Sequence, residues 1–339
     1  MSIKQPPELA AVPARDDASL ADAGPAPRVS VVICAYTMAR LPFIRQAVAS
    51  VLHQTLPPHE VVVAVDHNSE LFARLRADLD GRVTLVHNDG PERGAVVTDN
   101  LGVRYCTGDI VAFMDDDAAA ESDWLERLAG HFRDPGVAAA GGKLVPEWQE
   151  GRPSWFAPEL DWIVGGTYRG HPHRRTGVRN LILCNMAVRR GVFRSTGGFT
   201  TELGRRGDWG TGAESEFFLR LKRRFPHAAI RYEPEAVVHH KVPAHRGTPR
   251  YVLQRSYNEG FHKALIGKAF AGQSRDPLSV ERSYLWFLAR SVWGRLLRFY
   301  RRGNLGQVLA IAASVTATGA GYLAGIYAAA RGRVQLGAR

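Results

Sequence analysis

The sequence predicts an α/β fold: a doubly wound, mostly parallel sheet flanked by helices, with a helical extension at the C-terminal end. Two observations lead to this prediction. Short apolar runs alternate with segments of helical periodicity between residues 28 and 145, which is the pattern of parallel strands covered on both faces. From residue 251 onward helical periodicity continues alone, so a group of helices is expected to follow the sheet.

The first five elements follow one another at short intervals. An apolar strand at 28–36 (RVSVVICAY) precedes a helix at 41–55, whose apolar residues fall on one side. A second strand at 60–66 (EVVVAVD), a short helix at 71–79 and a third strand at 82–88 come next. The first two strands are nearly continuous apolar runs rather than alternating ones, which favours burial between two helical layers.

The next elements lead to a strand that ends in acidic residues. A helix is expected at 94–106, followed by the strand DIVAFMDDD at 109–117. A helix at 123–132 and the segment GVAAAGGKLV at 136–145 complete the regular alternation. Acidic groups at the end of a buried strand are unusual enough to need a reason.

The chain is less regular after residue 145. LILCNMAVRR at 181–190 is expected to be a strand, and AESEFFLRLKRRF at 213–225 a helix with its phenylalanines on one side. AIRYEPEAVVHHKV at 229–242 contains two strand-like pieces. The sheet is therefore expected to receive strands from this part of the chain as well.

The overall charge and the cysteines narrow the class of protein. The chain carries 44 Lys and Arg against 33 Asp and Glu, a net charge of +11, which suggests an anionic partner such as a nucleotide, a nucleic acid or a lipid phosphate surface. Cys34, Cys106 and Cys184 are far apart in apolar surroundings, so neither a disulfide framework nor a zinc site is expected. These features favour the reducing cytosol.

Acidic side chains follow two of the predicted strands. Asp66 ends the second strand, and Asp115, Asp116 and Asp117 end the fourth; ligands of open α/β sheets bind outside such carboxyl ends. Adjacent carboxylates repel by about 1 kcal/mol per pair in water and by several times that near a protein interior. A divalent cation that also binds phosphate oxygens removes this cost. A metal–nucleotide site is therefore favoured over a solvated turn that caps the following helix.

Several segments together resemble the family 2 glycosyltransferases, which have the GT-A fold. VSVVICAYTMARLPFIRQAVASVLHQT is similar to the opening of that family, VVVAVDHNS to its second strand, and GAVVTDNLGVRYCTGDIVAFMDDDA to the segment leading into its D-x-D motif. GGF at 197–199, the acidic helix near Glu214 and YEPEAVVHHKV match later landmarks in the same order. The resemblance covers residues 28 to 245 and implies transfer of a sugar from a nucleotide diphosphate to an acceptor hydroxyl, with inversion.

The resemblance assigns roles to the acidic residues. Asp66 would bind the base of the nucleotide, and Asp99 would line the nucleotide pocket. Asp115 and Asp116 would hold the ribose and the metal side, and Asp117 together with Asp115 would ligate the Mn²⁺ or Mg²⁺ ion that bridges the diphosphate. UDP is the expected nucleotide because the family uses it most; GDP and dTDP are the alternatives.

A histidine and a second group of acids complete the implied site. The segment PEAVVHH fits the family pattern P-x-A-x-V-x-H, whose last residue, here His240, completes the metal site. Inverting transfer also needs a carboxylate that takes the proton of the acceptor hydroxyl. The family's E-D-x-x-L pattern places Glu214 in that role, with Glu216 as second choice. Ala213 replaces the usual Glu, which keeps open the alternative of a non-catalytic nucleotide-sugar or membrane-surface binding protein.

Two C-terminal stretches indicate association with a membrane. Residues 282–302 interleave Leu, Trp and Phe with arginines, as basic amphipathic helices at anionic surfaces do. Residues 305–330 carry no charge over 26 positions, which is long enough to cross a bilayer. Nine of these residues are Ala and four are Gly, so a buried helical hairpin is the alternative.

These features together give the expected organisation and setting. We expect a disordered tail at 1–27, a GT-A domain at 28–245, a basic amphipathic region at 246–304 and an apolar helix at 305–330. The protein is expected at the cytoplasmic face of the cell membrane, where the acceptor would be a glycan or a polyprenyl- or dolichyl-linked sugar. Trp209, in the glycine-rich segment before the acidic helix, is the candidate for stacking on an acceptor sugar.

Other classes of protein fit the sequence less well. A dinucleotide-binding oxidoreductase would carry G-x-G-x-x-G after the first strand, where this chain has CAYTMARLPF. A nucleotidyltransferase would carry a glycine-rich loop with a basic residue at the same place. No nucleic-acid partner is expected, because the C-terminal arginines lie along a helix next to an apolar stretch and are not interleaved with a platform for base stacking.

Overall fold

The computed structural model describes residues 27–79, 81–201, 212–270 and 279–331. These residues form a mixed sheet with helices on both faces and three further helices at the C-terminal end. The strands are β1 (Val29–Ala35), β2 (Glu60–Asp66), β3 (Val83–Asn88), β4 (Ile110–Asp115), β5 (Ala118–Ala120), β6 (Val137–Trp148), β7 (Thr176–Gly177), β8 (Met186–Arg189) and β9 (Ala229–Val242). The helices are α1 (Leu41–Leu52), α2 (Ser69–Asp78), α3 (Ala95–Arg104), α4 (Trp124–His131), α5 (Arg190–Thr196), α6 (Ala213–Arg224), α7 (Pro249–Ala269), α8 (Ser279–Leu296) and α9 (Asn304–Ala330).

The sheet has a parallel half and a mixed half. Its strands lie in the order β3-β2-β1-β4-β8-β6-β9-β5, and β7 pairs with β9. The first four of these strands are parallel. β8 runs antiparallel to both β4 and β6, β9 runs parallel to β6, and β5 runs antiparallel to β9. The α/β class, the flanking helices and the C-terminal helices agree with the prediction, whereas strand direction becomes mixed beyond β4.

Two apolar layers enclose the parallel half because its strands bury side chains on both faces. Val31 and Ile33 of β1 point into one layer, which α1, α2 and α4 cover with residues such as Val48. Val32 points into the other layer, where α3, α5 and α6 contribute residues such as Phe217. Burial on both faces is the physical reason for the continuous apolar runs.

Two predicted elements differ from the structure. The strand expected at 181–190 is a 3₁₀ turn, Leu183–Asn185, followed by the four-residue strand β8. The two strand-like pieces at 229–242 form one strand of 14 residues, β9, whose register against β6 shifts between Gly142 and Lys143. That bulge explains why the apolar alternation is broken within a single strand. The predicted tail lies outside the described residues except for Pro27.

The helix α9 packs along α7 with the two backbones in contact. A Cβ atom at Gly260 would overlap the carbonyl oxygen of Thr318, and one at Gly321 would overlap the carbonyl oxygen of Tyr257. Glycine is required at such approaches because any side chain would separate the helices. By length and composition, α9 is the helix of the described chain that could cross a membrane.

Candidate active site

The carboxyl ends of β2 and β4 lie on either side of β1. Asp66 is the last residue of β2, and Asp115 is the last residue of β4. Strand β1 pairs with both, and its Cys34 lies opposite Asp115. Because parallel neighbours end at the same edge of a sheet, the predicted acidic residues gather at one edge, where ligands of such sheets bind.

Asp66 is held at the end of β2 by several hydrogen-bond donors. Its Oδ1 lies 2.8 Å from His67 Nδ1 and 2.7 Å from Asn88 Nδ2, and the backbone N–H of Gly94 donates to Oδ2 at 3.0 Å. Burial acts to raise the pKa of Asp66, but these donors outweigh it and lower the pKa. His67 adopts a left-handed φ of 47°. In this conformation its Nε2 lies 2.6 Å from the carbonyl oxygen of Gly90. The result is an ionised, oriented carboxylate at the sheet edge.

Asp115, Asp117 and His240 form a cluster that fits a metal ion. Pairing of β5 with β9 places Ala118 opposite His240, which brings the histidine to the end of β4. His240 Nε2 lies 3.3 Å from Asp117 Oδ1 and 3.8 Å from Asp115 Oδ2, and the three ligand atoms lie within 4.8 Å of one another. Apart from His240 Nε2, the buried Asp117 Oδ1 has no hydrogen-bond partner among the described residues. A divalent cation would satisfy this oxygen, so the predicted ligands suit the ion.

Arg40 also belongs to this site, although no sequence pattern pointed to it. It ends the 3₁₀ turn Met38–Arg40, and its guanidinium contacts Asp116 Oδ1 at 2.6 Å and Asp117 Oδ2 at 2.8 Å. Burial, only partly offset by Arg40, raises the pKa of Asp116 to about 7. Burial is outweighed at Asp117 by His240 and Arg40, which hold its pKa well below the usual range. Asp116 therefore faces an arginine within the protein, whereas Asp117 is shared between that arginine and the metal cluster.

Arg246 is a second cation that the sequence analysis missed. It lies in the 3₁₀ turn Ala244–Gly247 after β9, and it is buried. Its charge helps to lower the pKa of Asp117, after the larger effects of burial, His240 and Arg40. Its Nε is buried without a hydrogen-bond partner among the residues that the structure describes. A guanidinium with an open donor beside a candidate metal ligand is suited to bind phosphate oxygens.

Asp99 and Glu214 approach the same edge from two helices. Asp99 is buried on α3, and burial together with the charges of Asp115 and Glu214 raises its pKa well above the usual value. Glu214 lies in the first turn of α6. Burial raises its pKa, and the charges of Glu259 and Asp115 act in the same direction. Their mutual repulsion means that the predicted nucleotide residue and the predicted base lie around one site.

Glu216, the second candidate base, has both carboxylate oxygens engaged within the protein. Arg220 donates to each of them, and Thr200 Oγ1 donates to Oε2 at 2.7 Å. Arg220 also donates to the carbonyl oxygens of Thr196 and Gly198. These contacts fix α6 to the turn that contains GGF. The structure thus gives Glu216 a positioning contact and leaves Glu214 as the acid that faces the other site residues.

The helix α7 forms the far wall of the site around Glu214. Gly212 begins α6 with a φ of 97°, and a Cβ there would lie 2.9 Å from a side-chain atom of α7. The charges of Glu259 and Arg255, both on α7, act on Glu214 in opposite directions. Trp209, the candidate acceptor contact, lies outside the described residues.

Comparison with known proteins agrees with this geometry. The family model "Glycosyl transferase family 2" matches residues 30–197. A glucosyl-dolichyl phosphate glucuronosyltransferase of Haloferax volcanii is 32% identical over 302 residues, covering 88% of this chain and 96% of that protein. The chain therefore belongs to the family 2 glycosyltransferases and is a transferase.

Two further comparisons concern a sequence relative and a solved structure. The succinoglycan biosynthesis protein ExoM of Rhizobium meliloti is 27% identical over 244 residues, covering 68% of this chain and 72% of that protein. A mannosyltransferase from Pyrobaculum calidifontis, solved in complex with GDP-Man and Mn²⁺, superposes with a TM-score of 0.52 at 21% identity. The superposition covers 92% of this chain and 81% of the mannosyltransferase. The fold is therefore of the GT-A type.

Proposed function

We propose that this protein is an inverting, metal-assisted glycosyltransferase that moves a sugar from a nucleotide-diphosphate sugar to a hydroxyl of a glycan or lipid-linked acceptor. The observation that carries the proposal is the cluster of Asp115, Asp117 and His240, set between Asp66 and Glu214 at one edge of the sheet. The name of the Haloferax volcanii relative, a glucosyl-dolichyl phosphate glucuronosyltransferase, supports a polyprenyl- or dolichyl-linked acceptor. UDP is the proposed nucleotide of the donor.

The residues of the site divide between nucleotide and diphosphate. Asp66 would accept hydrogen bonds from the base, and Asp99 would line the same pocket. Asp115, Asp117 and His240 would hold Mn²⁺ or Mg²⁺, and the mixed carboxylate and imidazole ligands favour Mn²⁺. The ion, when bound, would neutralise charge on the leaving diphosphate. Arg246 would donate to the diphosphate through its Nε, which has no hydrogen-bond partner among the described residues.

Glu214 is the proposed base. The acceptor oxygen attacks the anomeric carbon as the bond from that carbon to the diphosphate oxygen breaks, and Glu214 takes the proton of the acceptor hydroxyl. Its raised pKa makes it a stronger base than an exposed glutamate, which assists proton transfer near neutral pH. Glu216 and Arg220 hold the helix that carries Glu214 in place, so Glu216 remains only the second candidate for direct contact.

The C-terminal regions supply the proposed setting. We assign residues 28–245 to catalysis, 246–304 to a basic helical region and 305–330 to an apolar helix, with the tail at 1–27 preceding them. The protein would work at the cytoplasmic face of the cell membrane, against the membrane surface. The apolar helix and the lipid-linked acceptor named for the relative support this location.

A donor screen tests the proposal. Purified protein is mixed with UDP-, GDP- and dTDP-sugars with Mn²⁺, Mg²⁺ or EDTA, and thermal shift and donor hydrolysis are read. We expect donors of one nucleotide class to stabilise the protein and to be hydrolysed, and both effects to be lost in EDTA. Glu214→Gln should keep the thermal shift and lose at least about a hundredfold in transfer, whereas transfer at the wild-type rate contradicts the assignment of the base.

The sequence-based alternative was a non-catalytic binding protein, because Ala213 breaks the acidic pair of the family pattern; membership of a family of transferases argues against it. This alternative predicts nucleotide-dependent stabilisation with neither hydrolysis nor transfer for any donor. Glu216→Gln provides the matched control. It should lower the melting temperature, because Arg220 loses its partner, whereas Glu214→Gln should not.

A further inference from the structure

The exposed apolar side chains of this protein are concentrated on two helices. Of the 15 large apolar residues that are exposed within the described chain, 13 lie between positions 285 and 327. Four aromatic side chains are the most prominent: Trp286 is 75% exposed, Trp293 65%, Phe299 70% and Tyr300 73%. We call the exposed apolar residues of α8, of α9 and of the turn between them the α8–α9 surface. A concentration of exposed large apolar side chains on neighbouring elements is typical of an interaction site.

The helix α9 has two distinct faces. Its buried face packs on the protein and consists of Ala310, Ile311, Ser314, Gly321, Gly325 and Ala329. Its exposed face includes Leu305, Leu309, Leu323 and Ile326, whose successive spacings of 4, 14 and 3 residues are close to whole numbers of helical turns. Such spacing places them on one side of the helix, opposite the glycines. Only one side of α9 is thus available to a partner.

The buried face is fastened to the catalytic part of the molecule. Besides the glycine contacts with α7, Ser256 Oγ lies 2.8 Å from Ser314 Oγ, and Lys268 Nζ donates to the carbonyl oxygen of Ala329 at 2.5 Å. These contacts extend over most of the length of α9. α9 could cross a bilayer only by leaving α7 or by drawing α7 into the hydrocarbon. α7 carries the charged residue Glu259 beside the active site, so neither course is compatible with the fold.

The helix α8 is fastened in the same way. Arg295 Nη2 donates to Glu159 Oε2 at 2.7 Å, and both side chains are buried. Arg295 Nε also donates to Gln307 of α9 at 2.7 Å, and Gln307 in turn donates to the carbonyl oxygen of Ser154 at 3.0 Å. The α8–α9 surface is therefore a rigid part of the fold.

The charged side chains that follow Glu281 along this surface are all basic. The sequence contains no acidic residue from 282 to 339, and four exposed arginines, Arg290, Arg298, Arg301 and Arg302, lie beside the aromatic residues. A groove between Arg169 and α8 adds a further guanidinium next to Trp286. Arginine and tryptophan together are typical of the boundary between headgroups and acyl chains. A bilayer that carries anionic lipid is complementary to both features.

We propose that the α8–α9 surface lies in the plane of an anionic membrane, with its aromatic side chains in the interface, and that α9 does not cross the bilayer. The inference rests on the membrane association proposed above and is independent of the transfer reaction. It differs from a spanning helix in one respect that can be measured: both ends of α9 stay on the same side of the membrane.

Vesicle flotation with the full chain tests the docking surface. Wild-type protein should float with vesicles containing phosphatidylglycerol and bind at least tenfold more weakly to neutral phosphatidylcholine vesicles. The double variant Trp286→Ser/Trp293→Ser should bind at least about tenfold more weakly to the anionic vesicles. Charge reversal at Arg298 and Arg301 should weaken binding by about fivefold per arginine or more.

The control and the contrary outcomes are defined by the structure. Reversal of two exposed arginines far along the chain, Arg76 and Arg104, changes the net charge equally and should leave binding near the wild-type level. If the tryptophan variant fails to fold, Leu323→Asn/Ile326→Asn on the exposed face of α9 replaces it. Wild-type binding by either double variant overturns the proposal, and so does self-association through this surface without vesicle binding.

Accessibility of the C-terminal end separates docking from crossing. The protein is given a protease-cleavable tag after Arg339, and the tagged protein is bound to sealed vesicles from outside. In-plane docking predicts complete cleavage by protease added outside and release of the protein by alkaline carbonate. A protected tag and resistance to carbonate overturn the in-plane arrangement. None of these readouts uses transferase activity, so failure of the proposed reaction does not affect them.

Discussion

Replacing Arg40 with glutamine tests the electrostatics of the candidate site directly. The guanidinium lies 2.6 and 2.8 Å from the carboxylates of Asp116 and Asp117, both buried. At a charge separation of about 4 Å and an effective dielectric constant of about 20, each pair contributes roughly 4 kcal/mol of attraction. The cost of desolvating the guanidinium offsets much of this, and removal of one partner of a buried pair costs about 3–5 kcal/mol. We expect Arg40→Gln to lower the free energy of unfolding by about 3 kcal/mol at pH 8 without metal.

The loss of stability in Arg40→Gln should depend on pH because Asp116 can take up a proton. Its folded pKa is about 7, well above the value near 3.9 in an unfolded chain. An acid with a raised folded pKa favours folding least when it is ionised, so stability falls as pH rises from the unfolded to the folded pKa. Without Arg40 the folded pKa rises further, and the decline continues to higher pH. The difference between variant and wild type should therefore be smaller at pH 6 than at pH 8.

Urea denaturation in EDTA, followed at pH 6 and pH 8, measures these differences. Arg45→Gln is the control, because Arg45 is an exposed arginine whose pair with Asp78 is 2.5 Å long; exposed pairs contribute about 0–1 kcal/mol. Mn²⁺ should stabilise Arg40→Gln more than wild type, since the ion would supply the missing positive charge at Asp117. Equal stability of Arg40→Gln and wild type in EDTA at pH 8 would refute the reasoning.

Three further predictions concern other parts of the molecule. Glu281 has a pKa lowered to about 2, because Arg179 and Lys263 outweigh the effect of burial. Glu281→Gln should therefore lower the free energy of unfolding by about 2–3 kcal/mol at pH 7. The urea midpoints of variant and wild type should converge as the pH falls from about 4.5 toward 2, and a constant difference would contradict the pairing. Gly321→Leu forces α7 and α9 apart and should lower the free energy of unfolding by at least about 2 kcal/mol in urea denaturation. Gly319→Leu is the control and should be nearly neutral, because a Cβ at Gly319 has no neighbouring atom within 4 Å. Equal effects of the two substitutions would argue against the close packing. Asp117→Asn should weaken Mn²⁺ binding at least tenfold by calorimetric titration, and unchanged affinity would exclude Asp117 as a ligand.

The parallel half of the fold was predictable because its information is local. Strands β1, β2 and β4 are nearly continuous apolar runs, β3 is a shorter and more mixed strand at the edge of the sheet, and the helices between them have their own periodicity. The mixed half was less predictable. Strand β8 is only four residues long, and its position between β4 and β6 depends on pairings that sequence periodicity does not encode. The bulge in β9 likewise broke one strand into two apparent pieces.

The candidate site shows the same division. The acidic residues at strand ends could be named in advance, because carboxyl ends of parallel strands must meet. Arg40 and Arg246 could not, since an arginine in a turn after a strand has no pattern of its own, and Arg40 contacts a residue 76 positions away. The engagement of Glu216 by Arg220 was readable in principle, because the two lie four residues apart on one helix.

The close contact between α7 and α9 has a consequence for how the enzyme would encounter its acceptor. Because the ridges of one helix pack into the grooves of the other, α7 and α9 cannot shift along each other by small amounts. The spacing between successive turns of an α-helix is about 5.4 Å. If the α8–α9 surface lies on a membrane as proposed, glycine spacing rather than a flexible tether would fix the height of Glu214 above the lipid headgroups. A lipid-borne sugar diffusing in two dimensions would meet the base at a high effective concentration only when its own length matches that height. Acceptor length, rather than sugar identity alone, would then set which glycans are extended.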